Sequence, residues 1–182
     1  MQFEQGVLYH VYNRSINKEL LYKSDENYRY FMEKFVFYLD NKIDVLAYCL
    51  MPTHFHFFVR ATADSDIIEK GFKNLFISYA KSINAAYERK GGIFQAKYKK
   101  DEIANDFHLS TIVAYIHLNP VKAGLCNAPA DWKYSSYNAM LSDAPTKVKR
   151  DEIVEWFGGK QRFVDAHKAY RGNDWIDKNL PE

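Results

Sequence analysis

Ile43-Asp44-Val45-Leu46-Ala47-Tyr48-Cys49-Leu50-Met51-Pro52-Thr53-His54-Phe55-His56-Phe57-Phe58-Val59-Arg60 holds two apolar runs of strand length with a proline between them. Ile43 to Leu50 and His54 to Arg60 are rich in the β-branched and aromatic residues that suit a pleated surface. Pro52 ends the first run, and the short gap lets the two pair as a hairpin. Side chains alternate across a strand, so His54, His56 and Phe58 share one face and Phe55, Phe57 and Val59 the other. The second set is suited to packing on helices. The first brings two imidazoles close enough to share one metal ion. An arbitrary His-x-His is more often a half-exposed polar position. In a strand this apolar, two polar rings on one face are costly unless used.

The chain around this hairpin alternates in period. Gly6 to Asn13 reads as a first strand, and Ser24-Asp25 starts a helix with Tyr28, Phe31, Met32, Phe35, Val36 and Leu39 at helical spacing. Asp64-Ser65-Asp66 opens a long helix carrying Phe72, Leu75, Phe76, Tyr79, Ile83 and Ala86, closed by Gly91-Gly92. Ile93 to Ile103 reads as a fourth strand, and Asn105-Asp106 caps a third helix expected to end near Pro120. The order β-α-β-β-α-β-α predicts an α+β, ferredoxin-like (split βαβ) fold. This is a four-stranded antiparallel sheet with helices on one face, the other face being left for a site. Residues 121–144 read as irregular, and 149–157 and 160–170 as short helices. The expected organisation is a catalytic domain over 1–144 and a C-terminal helical extension over 145–182.

Bulk properties set limits. With 182 residues, of which 47% are hydrophobic, the chain can bury a core without staples. The two cysteines, Cys49 and Cys126, form no CxxC pair, so neither a zinc finger nor a redox motif is present. No apolar run approaches the ~18 residues of a membrane span. Met1-Gln2-Phe3-Glu4-Gln5 lacks the regions of a signal peptide, so a cytoplasmic location is expected. A net charge of +2 does not advertise a nucleic-acid protein, but Lys81, Arg89, Lys90, Lys97, Lys99 and Lys100 cluster mid-chain. Lys97, Lys99 and Lys100 are the candidate phosphate contacts.

On the third helix, Leu109, Ile112, Val113 and Ile116 form a core stripe. His108, Thr111, Tyr115 and Asn119 fall on a neighbouring face, and Tyr115 and Asn119, one turn apart, can reach one locus. A phenol, whose ordinary pKa is about 10, can attack phosphorus and later leave again. His117 faces elsewhere on the helix. In a chain with 14 tyrosines, a boundary position between core and solvent is the bland alternative for Tyr115.

Several segments then line up in order: Tyr9-His10-Val11-Tyr12-Asn13-Arg14, Tyr48-Cys49-Leu50-Met51-Pro52-Thr53-His54-Phe55-His56-Phe57 and Gly92-Ile93-Phe94-Gln95-Ala96-Lys97-Tyr98. They continue with Tyr115-Ile116-His117-Leu118-Asn119-Pro120-Val121-Lys122-Ala123-Gly124-Leu125 and Trp132-Lys133-Tyr134-Ser135-Ser136-Tyr137. In this pattern the chain resembles the single-tyrosine HUH transposases of bacterial insertion sequences, especially their REP-associated relatives. The resemblance covers roughly residues 7–140. It implies a nickase and strand-transferase acting on single-stranded or hairpin DNA. It makes His54 and His56 the metal pair, Asn119 the third ligand and Tyr115 the nucleophile that becomes linked to a 5′-phosphate. Insertion-sequence members often carry glutamine where this chain has Asn119. The implied metal is Mg2+ or Mn2+, and manganese suits a mixed nitrogen and oxygen site better. Both a homodimer and a monomer are compatible with the family. Two other readings are a domesticated module that grips structured DNA without cutting, and a metal-dependent hydrolase using water.

Overall fold

The structure is a computed structural model and describes residues 2–103 and 106–170, with 106–108 described by backbone alone. The elements are β1 (Leu8–Arg14), α1 (Asp25–Leu39), β2 (Ile43–Met51), β3 (His54–Ala61), α2 (Ser65–Ala86), β4 (Lys99–Glu102), α3 (Asp106–Lys122), α4 (Tyr137–Leu141), α5 (Arg150–Trp156) and α6 (Lys160–Tyr170). The four strands make one sheet in the order β2-β3-β1-β4, every described pairing being antiparallel. This is the ferredoxin-like arrangement expected from the sequence. No helix among the described residues is long and apolar enough to cross a membrane.

The central strands are buried on both faces. Tyr9, Val11, Phe55, Phe57 and Val59 pack with Phe31, Phe35 and Leu39 of α1 and Phe72, Leu75 and Tyr79 of α2. The rings of Phe35 and Phe57 stack with centroids 4.1 Å apart. The helices approach closely at Gly71. A Cβ there would lie 2.8 Å from Leu39 Cδ2 and 2.9 Å from the Tyr38 carbonyl oxygen.

The second face is not bare. The α3 helix lies on it, and Ile112, Val113 and Ile116 share a buried cluster with Leu46, Ala47, Cys49, Met51 and Phe58 of the sheet. A register shift between Val45 and Ala47 lets β2 serve both layers. Val45, Tyr48 and Leu50 join the α1–α2 side, while Leu46, Ala47, Cys49 and Met51 join the α3 side. Residues of α4, α5 and α6 (Met140, Ile153, Phe163) belong to the same cluster as α3, so the C-terminal helices complete that layer. This explains why α3 is buried nearly all round over Ile112 to Leu118.

The C-terminal segments also occupy the free edge of β2. Leu50 N–H donates to Tyr134 O at 2.9 Å, Ser136 N–H to Tyr48 O at 3.0 Å and Lys149 N–H to Val45 O at 2.9 Å. Arg60 of β3 pairs with Glu152 of α5. The opposite edge, β4, is short and charged, which discourages pairing with another sheet.

Two boundaries differ from the sequence reading. The fourth strand is confined to Lys99–Glu102. Residues 93–98 are irregular, touching the sheet through the bridge from Ser15 to Phe94 and the bond from Gln95 N–H to Arg14 O at 2.8 Å. Ile93 and Phe94 fill the α1–α2 core, which bends the chain off the ladder. The third helix does not end at Pro120 but runs through it to Lys122. Proline removes one intrahelical donor yet tolerates helical φ. The helix stops at Gly124 (φ +70°), with Leu125 N–H bonded to Pro120 O and Gly124 N–H to Val121 O. The cap expected at Asn105 lies outside the described residues.

A buried polar chain ties α3 to α6. Tyr48 N–H donates to Ser136 Oγ at 2.9 Å, and the Ser136 hydroxyl lies 2.8 Å from His117 Nε2. His117 Nδ1 is 3.0 Å from His167 Nε2, and His167 Nδ1 donates to Phe163 O at 2.7 Å. With His167 Nδ1 as a donor, the chain is satisfied when both rings are neutral and His117 donates to His167.

Gly71→Ala is expected to lower stability. The clash costs about 1–3 kcal/mol, against about 1 kcal/mol gained in helix propensity, so chemical denaturation should show a net loss. Acid should also weaken the fold. Burial pushes His167 down to about 4 and His117 well below its ordinary value. Both folded values lie beneath the unfolded value of about 6.5, so their contribution is complete above that pH and is lost as pH falls from there towards about 4. Urea unfolding at pH 5 should give a stability lower by roughly 2 kcal/mol for His167 alone, and His167→Gln should flatten the slope.

Candidate metal and nucleophile site

Strand alternation sets out the site on the α3 side of the sheet. His10 and Tyr12 of β1 share that side with His54 and His56 of β3, and Tyr12 stands directly opposite His56 in the ladder. The far end of the hairpin is anchored by the backbone: Leu21 N–H donates to Pro52 O at 2.7 Å and Ser15 N–H to Thr53 O at 2.8 Å. His54, next in the chain, is thereby held at the mouth of the face. The rings of His54 and His56 are 5.0 Å apart and nearly perpendicular, at 86°. His54 lies half-buried, whereas His56 is only 1% exposed.

The helix supplies the rest. Tyr115 meets His56 edge-on with centroids 5.5 Å apart, and it meets His10 at 6.0 Å. Asn119 Oδ1 is 3.4 Å from His54 Nε2, a weak contact that nonetheless places the amide oxygen at the histidine pair. The structure therefore brings together His54, His56, Tyr115 and Asn119, which lie up to 65 residues apart in the chain. The side chain of His108 lies outside the described residues. Lys122 places its ammonium 5.8 Å from the Tyr115 ring. Tyr170 of α6 brings its hydroxyl within 3.3 Å of Thr111 Oγ1, one turn before Tyr115.

The electrostatics favour neutral imidazoles. Burial, then the neighbouring His10, His54 and Arg14, holds His56 well below the ordinary histidine range, and burial alone pushes His10 down to about 3. Neutral rings offer lone pairs, as metal ligation requires. The Nε2 of His56 is buried and, among the described residues, has no hydrogen-bond partner. Such an atom costs on the order of 1–3 kcal/mol unless something else satisfies it, and a cation would do so. Among the described residues no three His, Cys, Asp or Glu side chains gather as a metal centre. The third protein donor available is the Asn119 amide. Two imidazoles and one amide oxygen fit a borderline cation that completes its shell with water and phosphate oxygen.

Three residues of this face were not singled out from the sequence. His10 bonds His56, with His10 Nε2 3.0 Å from His56 Nδ1. Arg14 faces His54 across the ladder, and its buried Nε has no partner among the described residues. Tyr12 is a second phenol near the histidines, but burial and then the Asp101 carboxylate raise its pKa above the ordinary value. The available signal was alternation: His10, Tyr12 and Arg14 are polar or amphipathic positions two apart, on one face of the strand.

The three lysines line one cavity but differ in what their side chains meet. Lys99 stands opposite Tyr12 on the site face, with its ammonium 5.7 Å from that ring. Lys100 points to the other face, where it pairs with Glu69 at 2.8 Å and sits 3.9 Å from the Phe3 ring centroid. Lys97 is exposed on the segment before β4. The cavity it shares with Lys99 and Lys100, of about 1140 Å³, is also lined by Lys70, Lys73, Phe76 and Tyr98.

A family model described as IS200-like transposase matches residues 5–119, from just before β1 to Asn119. The chain belongs to the IS200-like transposase family. A REP-associated tyrosine transposase of Haemophilus influenzae is 26% identical over 125 residues, covering 64% of this chain and 67% of that protein. The solved structure of a REP-associated tyrosine transposase bound to a REP hairpin superposes with a TM-score of 0.67 at 17% identity, over 80% of this chain and 86% of the other. That likeness is one of fold. In this transposase the matched span contains both histidines, the tyrosine and the asparagine of the site.

Proposed function

We propose that this transposase nicks and rejoins single-stranded DNA beside a hairpin, through a covalent 5′-phosphotyrosine on Tyr115. The observation that carries the reading is the contact of Tyr115 with His56, whose buried Nε2 lacks a partner among the described residues. In the forward step the phenol loses its proton, the Tyr115 Oη–P bond forms and the P–O3′ bond breaks. A 3′-hydroxyl is released, and attack by another 3′-hydroxyl reverses the sequence, so the phosphodiester energy is conserved. His54, His56 and Asn119 would hold Mg2+ or Mn2+, which when bound draws charge from the non-bridging phosphate oxygens. Arg14 and Lys122 add positive charge around the same locus. A hairpin is the proposed partner because the solved relative is bound to one.

We assign Lys97 and Lys99 to phosphate contacts along the β4 edge. Lys100, held by Glu69, contributes mainly to securing that edge.

The test is a labelled single-stranded hairpin, taken from the DNA flanking the gene, incubated with enzyme and Mn2+. A protein–DNA adduct stable to detergent is expected. Tyr115→Phe should reduce it by more than about 1000-fold, and a chelator should abolish it. Full-rate cutting by Tyr115→Phe overturns the tyrosine mechanism, and tight binding with no adduct assigns the chain to the gripping modules. In a salt titration of DNA affinity, Lys97→Gln and Lys99→Gln should each flatten the log–log slope by about 0.7–0.9, while Lys100→Gln leaves it nearly unchanged.

A further inference from the structure

His10 takes no part in the chemistry above, yet it makes the closest polar contact to the histidine pair. It is wholly buried on β1, with Nε2 3.0 Å from His56 Nδ1. One of these two nitrogens carries the proton between them. If His10 donates, the neutral His56 keeps its own proton on Nε2 and has no lone pair there. If His56 donates from Nδ1, its Nε2 lone pair is exposed to a ligand, and His10 keeps its proton on Nδ1. In either case His56 Nε2 and His10 Nδ1 are left without partners among the described residues. A cation on His56 Nε2 stabilises only the second arrangement. A ligating imidazole generally donates its other N–H to a fixed acceptor, which sets tautomer and ring angle. Among the described residues, that place at His56 is taken by His10 and by no carboxylate or backbone carbonyl.

We propose that His10 is a positioning residue whose Nε2 accepts the His56 Nδ1–H bond, holding His56 in the tautomer and orientation that present Nε2 to a divalent cation. The inference rests on the metal reading of His54 and His56. Two features support it independently of that reading. The acceptor comes from the strand paired with β3, so the ladder fixes the distance between the two rings. Tyr12 lies nearly parallel to both, 4.8 Å from His10 at 22° and 5.9 Å from His56 at 25°, which restricts their rotation. A neutral acceptor also avoids burying a carboxylate under α3.

The experiment titrates Mn2+ into the full chain, reading free Mn2+ by electron paramagnetic resonance, for the wild type, His56→Ala, His10→Phe and His10→Gln. Phenylalanine fills the space without an acceptor, while glutamine offers a carbonyl oxygen. His10→Phe should weaken Mn2+ binding by about 10- to 100-fold, and His10→Gln should recover most of that loss. Long-range proton–nitrogen spectra of the metal-free protein should show His56 protonated on Nδ1 in the wild type and in His10→Gln, shifting towards Nε2 in His10→Phe. A folded His10→Phe that binds as the wild type does, while His56→Ala loses affinity, overturns the role of His10 and leaves the metal reading intact. Glutamine binding no better than phenylalanine reduces His10 to packing and equally overturns it. Equal, weak binding by the wild type and His56→Ala removes the metal reading and this inference together. Should His10→Phe fail to fold, a wild-type His56 protonated on Nε2 is the overturning result.

Discussion

The two-sided burial of β3 is the constraint on which the rest of the structure depends. With Phe55, Phe57 and Val59 fixed in the α1–α2 core, the alternation of the strand leaves His54, His56 and Phe58 no choice of face. A slip of one residue would drive two imidazoles into a layer of stacked aromatic rings and expel three large apolar side chains from it. The energy that sets the position of the candidate ligands is therefore the hydrophobic energy of their neighbours. The histidines can be poorly satisfied, as the orphaned Nε2 of His56 is, because they do not hold the strand in place.

The same burial controls the chemistry. Water is excluded from His10 and His56, so both stay neutral, and the interactions of the face are strengthened by the low dielectric around them. Tyr12 and Tyr115 stand close to the same rings but in different settings. Burial, and then the Asp101 carboxylate, oppose formation of a phenolate at Tyr12, while the Lys122 ammonium lies 5.8 Å from the Tyr115 ring.

The fold was legible because its period changes are strong. The apolar alternation of His54 to Arg60 and the helical spacing from Phe72 to Ile83 admit few other readings. The face shared by His54 and His56 followed from alternation alone, and the face of Tyr115 and Asn119 from helical period. The length of β4 was not legible, because Ile93 and Phe94 look like strand residues in sequence and earn their burial instead by filling the α1–α2 core. Nor was the passage of α3 through Pro120, which depends on tertiary burial of the helix outweighing one lost hydrogen bond. The covering of the second face by the C-terminal helices was hidden too. Short helices such as α5 carry no sequence sign of what they pack upon. His10 and Arg14 were visible in a motif, but their partners come from a strand 40 or more residues away, and only the register supplies that.

The α3 helix is asked to do two things on two sides. One side carries Tyr115 and Asn119 to the sheet histidines; the other carries His117 into the chain that runs from Tyr48 through Ser136 to His167 and α6. Since Tyr115 and His117 are two residues apart, a rotation of the helix that loosens one contact set must disturb the other. The position of Tyr115 is then coupled to a buried polar network on the opposite side of the helix, and α6 gains a structural reason to be present. The weak contact between Asn119 and His54 fits this view. An asparagine is shorter than the glutamine common at this place in insertion-sequence relatives. Its reach to the histidines therefore depends on where the helix is held, and the holding is done from the far side.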